Sequence, residues 1–161
     1  LLLGFKSRPW RTGPRKSTGS VYTDYASECF WDNACGQPGS SGIIVNYLSG
    51  KRGAAQDGNQ QQTALADLNA IFPGSLAAFD GNKLMQHWAS HHLSLGSFSC
   101  HQPGQYTTLH GSPGEAELTG RLLFAGEHTS IQYASYMNGA VESANKAVKM
   151  LFGTAKLAGP V

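Results

Sequence analysis

The sequence predicts an α/β chain, more narrowly an α+β fragment in which a mixed sheet is followed by a separate strand and helix. Three observations lead to this prediction. Residues 1–48 contain short apolar, β-branched and aromatic runs separated by turn-forming residues. Residues 59–72 change to a helical period, and residues 122–152 have the pattern of a strand followed by a helix. This alternation fits two half-domains better than one closed unit.

The predicted sheet is assembled from short strands. In chain order we expect strands at residues 1–6, 21–31 (a strand pair), 43–48, 84–88 and 122–125. The intervening polar or glycine- and proline-rich stretches are predicted loops, at residues 11–20, 36–42 and 93–113. The loop at 36–42 is expected to close a hairpin.

Two helices are predicted. The first covers residues 59–72, and Pro73-Gly74 ends it. Its apolar positions fall on one face: Ala64, Leu65, Leu68, Ile71 and Phe72. The second covers residues 135–152, with Ser135 as its N-cap and Gly153 as its C-cap.

The composition narrows the functional classes. The chain has 161 residues, of which 40% are hydrophobic and 14% are charged. So little charge fits a chain that covers much of its surface with another polypeptide. The net charge of +2 gives no support for a nucleic-acid or anionic-membrane partner, and no apolar run approaches the ~20 residues that span a bilayer. The chain starts at Leu1 with no initiator Met, no basic n-region and no signal-like cleavage site. We therefore expect a piece of a longer product, either cut by a protease or one subunit of a processed, hetero-oligomeric enzyme.

The cysteines and histidines offer weaker signals. Free buried thiols are favoured for Cys29, Cys35 and Cys100, with a Cys29–Cys35 disulfide as the alternative. Five histidines could be drawn as a metal site, but they share no helical face and have no Cys or carboxylate at ligand spacing. No metal is therefore expected. These histidines are His87, His91, His92, His101 and His110.

Residues 121–148 are the most informative segment. A short apolar run ends in Gly126-Glu127, and a polar loop leads to the helix at Ser135. The free N–H groups of a helix start carry partial positive charge and favour an electron-rich ligand. These would be the N–H groups of Tyr136, Met137 and Asn138, beside the small residues Gly139 and Ala140. The alternative interpretation is that the small residues only pack the helix against a sheet.

Residues 121–148, and less strongly 84–108, resemble the C-terminal flavin-contacting segment of the FAD-dependent amine oxidases, which include monoamine, polyamine and L-amino-acid oxidases. The resemblance implies the C-terminal part of a two-domain oxidase. Residues 1–103 would belong to its substrate-binding domain, residues 104–152 would return to a Rossmann-like FAD-binding domain, and residues 153–161 would form a tail. Because no GxGxxG follows a strand here, that motif is expected on an N-terminal portion of the same oxidase.

The resemblance also implies cofactor contacts. Tyr136 and Met137 match the turn whose backbone N–H meets the flavin C2 carbonyl, with Ala140 beside it and Ser135 in place of the family's usual glycine. Gly126 and Glu127 match the pair that contacts the ribityl-phosphate part of FAD. Trp88 matches a tryptophan that stacks near the isoalloxazine.

By the same resemblance, Phe98 and Tyr136 match two aromatic side chains that face each other beside the flavin and guide the amine. Ser97 stands where monoamine oxidases carry a flavin-linked cysteine, and Cys100 is three residues away, so FAD is expected to be non-covalent. The implied reaction is hydride transfer from an amine or L-amino acid to FAD. It gives an imine that hydrolyses to an aldehyde or keto acid and ammonia, and oxygen reoxidises the flavin with formation of hydrogen peroxide.

The substrate class stays open. Phe30 and Trp31 fall near a position where amino-acid oxidases use a Tyr hydroxyl. The missing hydroxyl favours a simple amine, or a substrate carboxylate that is bound by an Arg on another portion of the oxidase. The pair is equally typical of an ordinary core. Two other functional classes also remain. One is a flavoprotein relative of the desaturase or protoporphyrinogen-oxidase type, and the other is a non-catalytic subunit of a flavoprotein.

Overall fold

The computed structural model describes residues 1–55 and 58–153. The chain divides into two compact units, Leu1–Leu95 and Gly96–Val161. The division lies a few residues before the predicted boundary at 103–104. The assignment of the units to substrate and cofactor domains stays a prediction, and the predicted tail beyond Gly153 lies outside the described residues.

Unit 1 contains a five-stranded sheet with the strand order β2-β3-β4-β1-β5. Every described pairing in it is antiparallel, so the mixed sheet expected from the sequence is wrong. The strands are β1 (Leu2–Phe5), β2 (Val21–Tyr22), β3 (Cys29–Asp32), β4 (Gly42–Tyr47) and β5 (Phe79–Leu84). The predicted strand pair at 21–31 and the hairpin closed by residues 36–42 are confirmed.

The helices of unit 1 cover its core. They are α1 (Pro9–Thr12), α2 (Gly50–Ala54), α3 (Gln60–Ile71) and α4 (Ser75–Ala78). Helix α3 confirms the predicted helix at 59–72, and its predicted apolar face meets the sheet. The core consists of apolar side chains with almost no exposed surface: Leu3, Phe5, Trp10, Phe30, Ile44, Ala64, Leu65, Leu68, Phe72 and Ala78.

A polar contact lies at the edge of this core. The fully buried Trp10 donates its indole N–H to Asp32 Oδ2 at 3.0 Å. Arg11 forms an ion pair with the same carboxylate oxygen, also at 3.0 Å. Burial acts to raise the pKa of Asp32, but the bonds from Trp10, the Ala34 amide and Arg11 outweigh it and hold the pKa below its ordinary value. The carboxylate is therefore a buried acceptor that orients Trp10.

The predicted strand at 84–88 is wrong. The strand is β5, Phe79–Leu84, and Trp88 begins a 3-10 turn, Trp88–Ser90. Strand β5 is at the sheet edge and pairs only with β1 in the sheet order. Most of its side chains are exposed, so its sequence lacks the apolar pattern by which strands are recognised.

In its described residues, unit 2 is built from turns, short 3-10 segments and two α-helices, α5 (Gln105–Leu109) and α6 (Met137–Phe152). The predicted strand at 122–125 is wrong, because the described residues give it only an isolated bridge between Glu117 and Leu122. A strand without a neighbour has no ladder of hydrogen bonds. Leu122 and Phe124 are correspondingly exposed rather than buried. Gly153 ends α6 with a φ of 71° and an N–H bond to the Lys149 carbonyl, which confirms the predicted C-cap.

Candidate functional site

A carboxylate in unit 2 connects three segments of the chain. Glu127 Oε1 accepts the Ser99 N–H at 2.7 Å, and Glu127 Oε2 accepts the Ser99 hydroxyl at 2.7 Å and the Ser135 N–H at 2.6 Å. The Ser135 hydroxyl donates to the Ser99 carbonyl at 2.7 Å. We call Ser99, Glu127 and Ser135 the serine–glutamate cluster. It holds the chain beside Phe98 next to the chain beside Tyr136.

The charge state of Glu127 follows from these bonds. Partial burial acts to raise the pKa of the carboxyl, but the Ser99 hydroxyl and amide, the Ser135 amide and the charge of His128 act more strongly in the opposite direction. The pKa therefore lies below the ordinary value of 4.5. At neutral pH, Glu127 is an ionised acceptor whose oxygens are directed at Ser99 and Ser135.

The start of α6 differs from the prediction in one respect. The N-cap is Tyr136, with extended backbone, and not Ser135. Ser135 lies one residue earlier with a φ of 71°, a left-handed conformation that its cluster contacts hold. The serine does not act as a cap because its hydroxyl is bonded to Ser99 instead of to the helix.

The backbone donors at this helix start are only partly used. The Tyr136 N–H bonds to the Tyr133 carbonyl, and the Gly139 N–H bonds to the Tyr136 carbonyl. Within residues 1–55 and 58–153, the N–H groups of Met137 and Asn138 have no hydrogen-bond acceptor. Two outward donors on a helix N-terminus suit an electron-rich carbonyl edge such as the pyrimidine side of a flavin. The donor set present therefore fits that group.

The small residues of α6 have separate roles. Gly139 is buried, and a Cβ built on it would lie 2.2 Å from the Tyr133 carbonyl oxygen, so it permits close packing against the preceding loop. Ala140 is half-buried, whereas Val141 is exposed. Within unit 2, Gly139 thus packs on the preceding loop.

The Gly126-Glu127 turn is fixed by the same helix. The Gly126 N–H donates to Ser143 Oγ at 2.9 Å, and the Ser143 hydroxyl lies 2.9 Å from the Gly126 carbonyl. Gly126 has a φ of 153°, and the His128 ring occupies the space where a side chain would be. This conformation and close approach are open to glycine.

The predicted aromatic side chains are on the surface of the units that carry them. In unit 2, Phe98 is 51% exposed and Tyr136 is 69% exposed, and neither contacts another aromatic ring among the described residues. In unit 1, Trp88 is half-exposed and its ring lies 5.8 Å from that of His91. The structure thus brings the backbones next to Phe98 and Tyr136 together and leaves their rings open to a ligand.

The candidate substrate pair lies in unit 1. Phe30 is fully buried in the core, which matches the core interpretation, so its ring has no surface to offer a substrate. Trp31 points to the opposite face of the sheet, where its half-buried ring stacks on Tyr47 at 5.4 Å. Successive strand residues point to opposite faces, and this separates the pair.

The cysteines are free, with no disulfide between Cys29 and Cys35. Cys29 is buried, and burial raises the pKa of its thiol. Cys35 and Cys100 are exposed, which corrects the expectation of three buried thiols. Among the described residues there is no group of three or more metal-ligating side chains, and no helix is long and apolar enough to cross a membrane.

A family comparison decides what this arrangement belongs to. The model of the family described as flavin containing amine oxidoreductase matches residues 1–151. The chain belongs to this family. Membership implies a flavin cofactor and an oxidoreductase, and it confirms the resemblance drawn from residues 121–148.

Individual relatives agree with the family. The chain is 30% identical over 136 residues to an L-glutamate oxidase precursor of Streptomyces viridosporus, covering 80% of this chain and 20% of that protein. It is 27% identical over 154 residues to an L-amino-acid oxidase of Siganus canaliculatus, covering 91% of this chain and 28% of that protein. The chain therefore spans less than a third of the length of these curated relatives.

A solved structure gives the same fold. Wild-type putrescine oxidase bound to putrescine superposes with a TM-score of 0.75 at 14% identity, covering 93% of this chain and 34% of that one. At this identity the likeness establishes the fold of the amine oxidases for this chain, and no more than the fold.

Sequence reasoning missed two residues of the site, Ser99 and Ser143. Ser99 lies directly after Phe98, one of the two aromatic residues predicted to face each other beside the flavin. Ser143 lies one helical turn after Gly139. Serine is common in loops and on helix surfaces, so neither carries a signal by itself. The spacing of four residues between Gly139 and Ser143 along α6 was the one available indication that Ser143 would lie on the same helix face as Gly139.

Proposed function

We propose that this chain is the C-terminal part of an FAD-dependent oxidase that acts on an amine or an L-amino acid. The observation that carries the proposal is the serine–glutamate cluster. It brings the segments of Phe98 and Tyr136 together beside a helix start with two unused N–H donors. Family membership supports the flavin, and the exposed rings of Phe98 and Tyr136 support an aromatic cage around the substrate.

The binding roles follow from the residues. The Met137 N–H would face the C2 carbonyl of the flavin, with Tyr136 and Ala140 beside the ring, and Gly126 and Glu127 would lie near the ribityl-phosphate part. Trp88 would stack near the isoalloxazine. Ser97 provides no thiol for a covalent link, which supports non-covalent FAD. The dinucleotide motif GxGxxG would come from the N-terminal portion of the same oxidase, and we expect this chain alone to be inactive.

The chemistry divides between cofactor and chain. When bound, the flavin would take up a hydride from the carbon that bears the amine, and oxygen would then be reduced to hydrogen peroxide. The imine would hydrolyse to ammonia and an aldehyde or keto acid. Phe98 and Tyr136 would exclude water and hold the amine nitrogen between apolar ring faces, where loss of hydration favours the uncharged amine.

The substrate class can be ordered for testing. Because Phe30 is buried in the core, the absence of a hydroxyl at that position no longer favours a simple amine. The two curated relatives are named as oxidases of L-glutamate and of L-amino acids. We therefore propose L-amino acids as the first class to screen, followed by polyamines and primary monoamines.

The test uses the full-length protein. Absorbance of this protein in the flavin bands would support a bound flavin. If acid precipitation leaves the flavin in the supernatant and not in the protein pellet, FAD is non-covalent. Peroxide release would then identify the substrate. Phe98→Ala and Tyr136→Ala are each expected to reduce kcat/KM for the best substrate by on the order of 100-fold, which is the scale at which misplacing a substrate lowers rates. Thr107→Ala, an exposed position on α5, is the control.

The outcomes separate the functional classes. If the full-length protein binds flavin and both Phe98→Ala and Tyr136→Ala turn over the amine as the wild type does, the proposed aromatic cage is contradicted. Flavin without peroxide from any amine would favour the desaturase or protoporphyrinogen-oxidase type. A full-length protein without flavin absorbance would leave a non-catalytic role.

A further inference from the structure

We propose that Ser135 is a positioning residue, whose hydroxyl fixes the segment that carries Phe98 against the start of the helix that carries Tyr136. The contact is a property of this chain alone, whereas its consequence for an amine rests on the proposed function. No role was assigned to the Ser135 side chain by the resemblance, in which this position is usually glycine.

The contacts of Ser135 join segments that are distant in sequence. Its hydroxyl donates to the Ser99 carbonyl at 2.7 Å across 36 positions, and its N–H donates to Glu127 Oε2 at 2.6 Å. Since Ser99 also donates its N–H and hydroxyl to Glu127, these bonds form a closed ring of contacts. The hydroxyl bond is the one direct bond in this ring between the Ser99 and Ser135 segments.

The backbone of Ser135 shows what this bond offsets. Its φ of 71° lies in the left-handed region, which is unfavourable for a residue with a Cβ and freely open to glycine. A glycine here would relax the backbone but would lack the hydroxyl. The structure therefore combines an unfavourable conformation with a hydrogen bond that only a side chain can make.

The bond from the Ser135 hydroxyl to the Ser99 carbonyl affects the two aromatic rings because each ring belongs to a residue next to one of the bonded residues. Phe98 directly precedes Ser99, and Tyr136 directly follows Ser135. Both rings are at least half-exposed and neither packs on another aromatic ring in the described part of unit 2. Their separation is therefore set by the backbones that carry them, and the Ser135 hydroxyl joins those backbones.

Two variants of the full-length protein separate the hydroxyl from the backbone. Ser135→Ala removes the hydrogen bond and keeps the unfavourable conformation, whereas Ser135→Gly removes the bond and relieves the conformation. Thr119→Ala and Thr119→Gly are matched controls, since Thr119 is exposed in the same unit with a φ of 60°. The readouts are amide hydrogen exchange at positions 99 and 135, and KM and kcat for the substrate found in the screen.

We expect both Ser135 variants to exchange these two amides about five-fold faster, the effect of one hydrogen bond of ordinary strength. KM is expected to rise by about the same factor with a smaller change in kcat, since the rings bind substrate and transition state alike. The Thr119 variants should leave the exchange at 99 and 135 and the KM unchanged.

Three results would overturn the proposal. Unchanged exchange in both Ser135 variants would show that the hydroxyl does not hold the segments, whatever the activity. Slower exchange in Ser135→Gly with wild-type behaviour in Ser135→Ala would show that the backbone conformation alone matters. Faster exchange in the Ser135 variants with an unchanged KM would show that the hydroxyl does not position the rings of Phe98 and Tyr136. If the wild-type protein binds flavin and oxidises the substrate, that result would leave the proposed function intact.

Discussion

The two units of the chain are stabilised by different means. Unit 1 buries large apolar side chains between its sheet and its helices, among them Phe5, Trp10 and Phe30. In the described part of unit 2 the buried positions are small or polar: Thr129, Ser130, Gly139 and Ser143. The contacts that fix unit 2 are accordingly hydrogen bonds to Glu127 and the close approach at Gly139.

This difference has a physical consequence for function. Apolar burial is non-directional and tolerates small displacements, whereas hydrogen bonds and close backbone contacts are directional. Unit 2, which carries the candidate residues Phe98, Glu127, Tyr136 and Met137, is the one whose geometry is fixed by directional contacts. The apolar side chains that unit 2 leaves exposed, such as Phe124 and Leu151, would be covered by the N-terminal portion under the proposed function.

The largest expected effect tests the core of unit 1. Phe30→Ala should lower the free energy of unfolding of this unit by about 3–5 kcal/mol, because it opens a cavity in a closed apolar core. Urea unfolding followed through the amides of β4 measures it. Trp31→Ala, which truncates the half-buried neighbour on the other face, should cost clearly less. Equal losses would show that the two faces of the sheet are equally packed.

A smaller effect is expected where unit 2 is most closely packed. Gly139→Ala places a methyl group against the Tyr133 carbonyl and should destabilise the start of α6 by about 1–3 kcal/mol. Hydrogen exchange of the α6 amides reports the change. Asn145→Ala, at an exposed position of the same helix, is the control. If α6 exchanges as in the wild type, the close approach at Gly139 does not fix this unit.

The smallest effect concerns the charge of Glu127. The pKa of this carboxyl is lowered by folding, so its contribution to stability is complete above the ordinary value of 4.5 and is lost as the pH falls through the lower folded value. Protection of the Ser99 and Ser135 amides, corrected for intrinsic exchange, should therefore decline only in acid.

Glu127→Gln removes the titrating group. In this variant the backbone amides of Ser99 and Ser135 should exchange about five-fold faster than in the wild type at neutral pH, since bonds to a charged acceptor are roughly twice as strong as neutral ones. The difference between variant and wild type should vanish in acid. The same acid decline in Glu127→Gln as in the wild type would assign the decline to another group.

The predictions succeeded where the sequence pattern reports directly on burial. The apolar runs of β1 and β4 and the apolar helical face of α3 lie against a core, so their residue types reveal their structure. They failed at β5, an exposed edge strand, and at residues 122–125, whose apolar run has no strand ladder in the described structure. In both places the presence or absence of a neighbouring strand, and not the residue types of the segment itself, determines whether a strand forms.

The candidate site divides in the same way. The sequence predicts roles for the Gly126-Glu127 turn, Phe98 and the Tyr136-Met137 helix start, because the resemblance rests on those residue types at those spacings. The N-cap was misplaced by one residue, since the hydroxyl of Ser135 bonds to a carbonyl 36 positions away. Local capping rules cannot include an acceptor so distant in the chain.

By itself, the sequence determined the family and the helix of unit 1, because these depend on local period and on residue identity, and it predicts the residues that would meet a flavin. Only the tertiary structure decided that Glu127 bonds Ser99 and Ser135, that Phe30 and not Trp31 faces the core, and that Ser135 adopts a left-handed backbone. These features depend on contacts between segments that are far apart in sequence. The free energy of such a contact depends on both segments and cannot be inferred from either one alone.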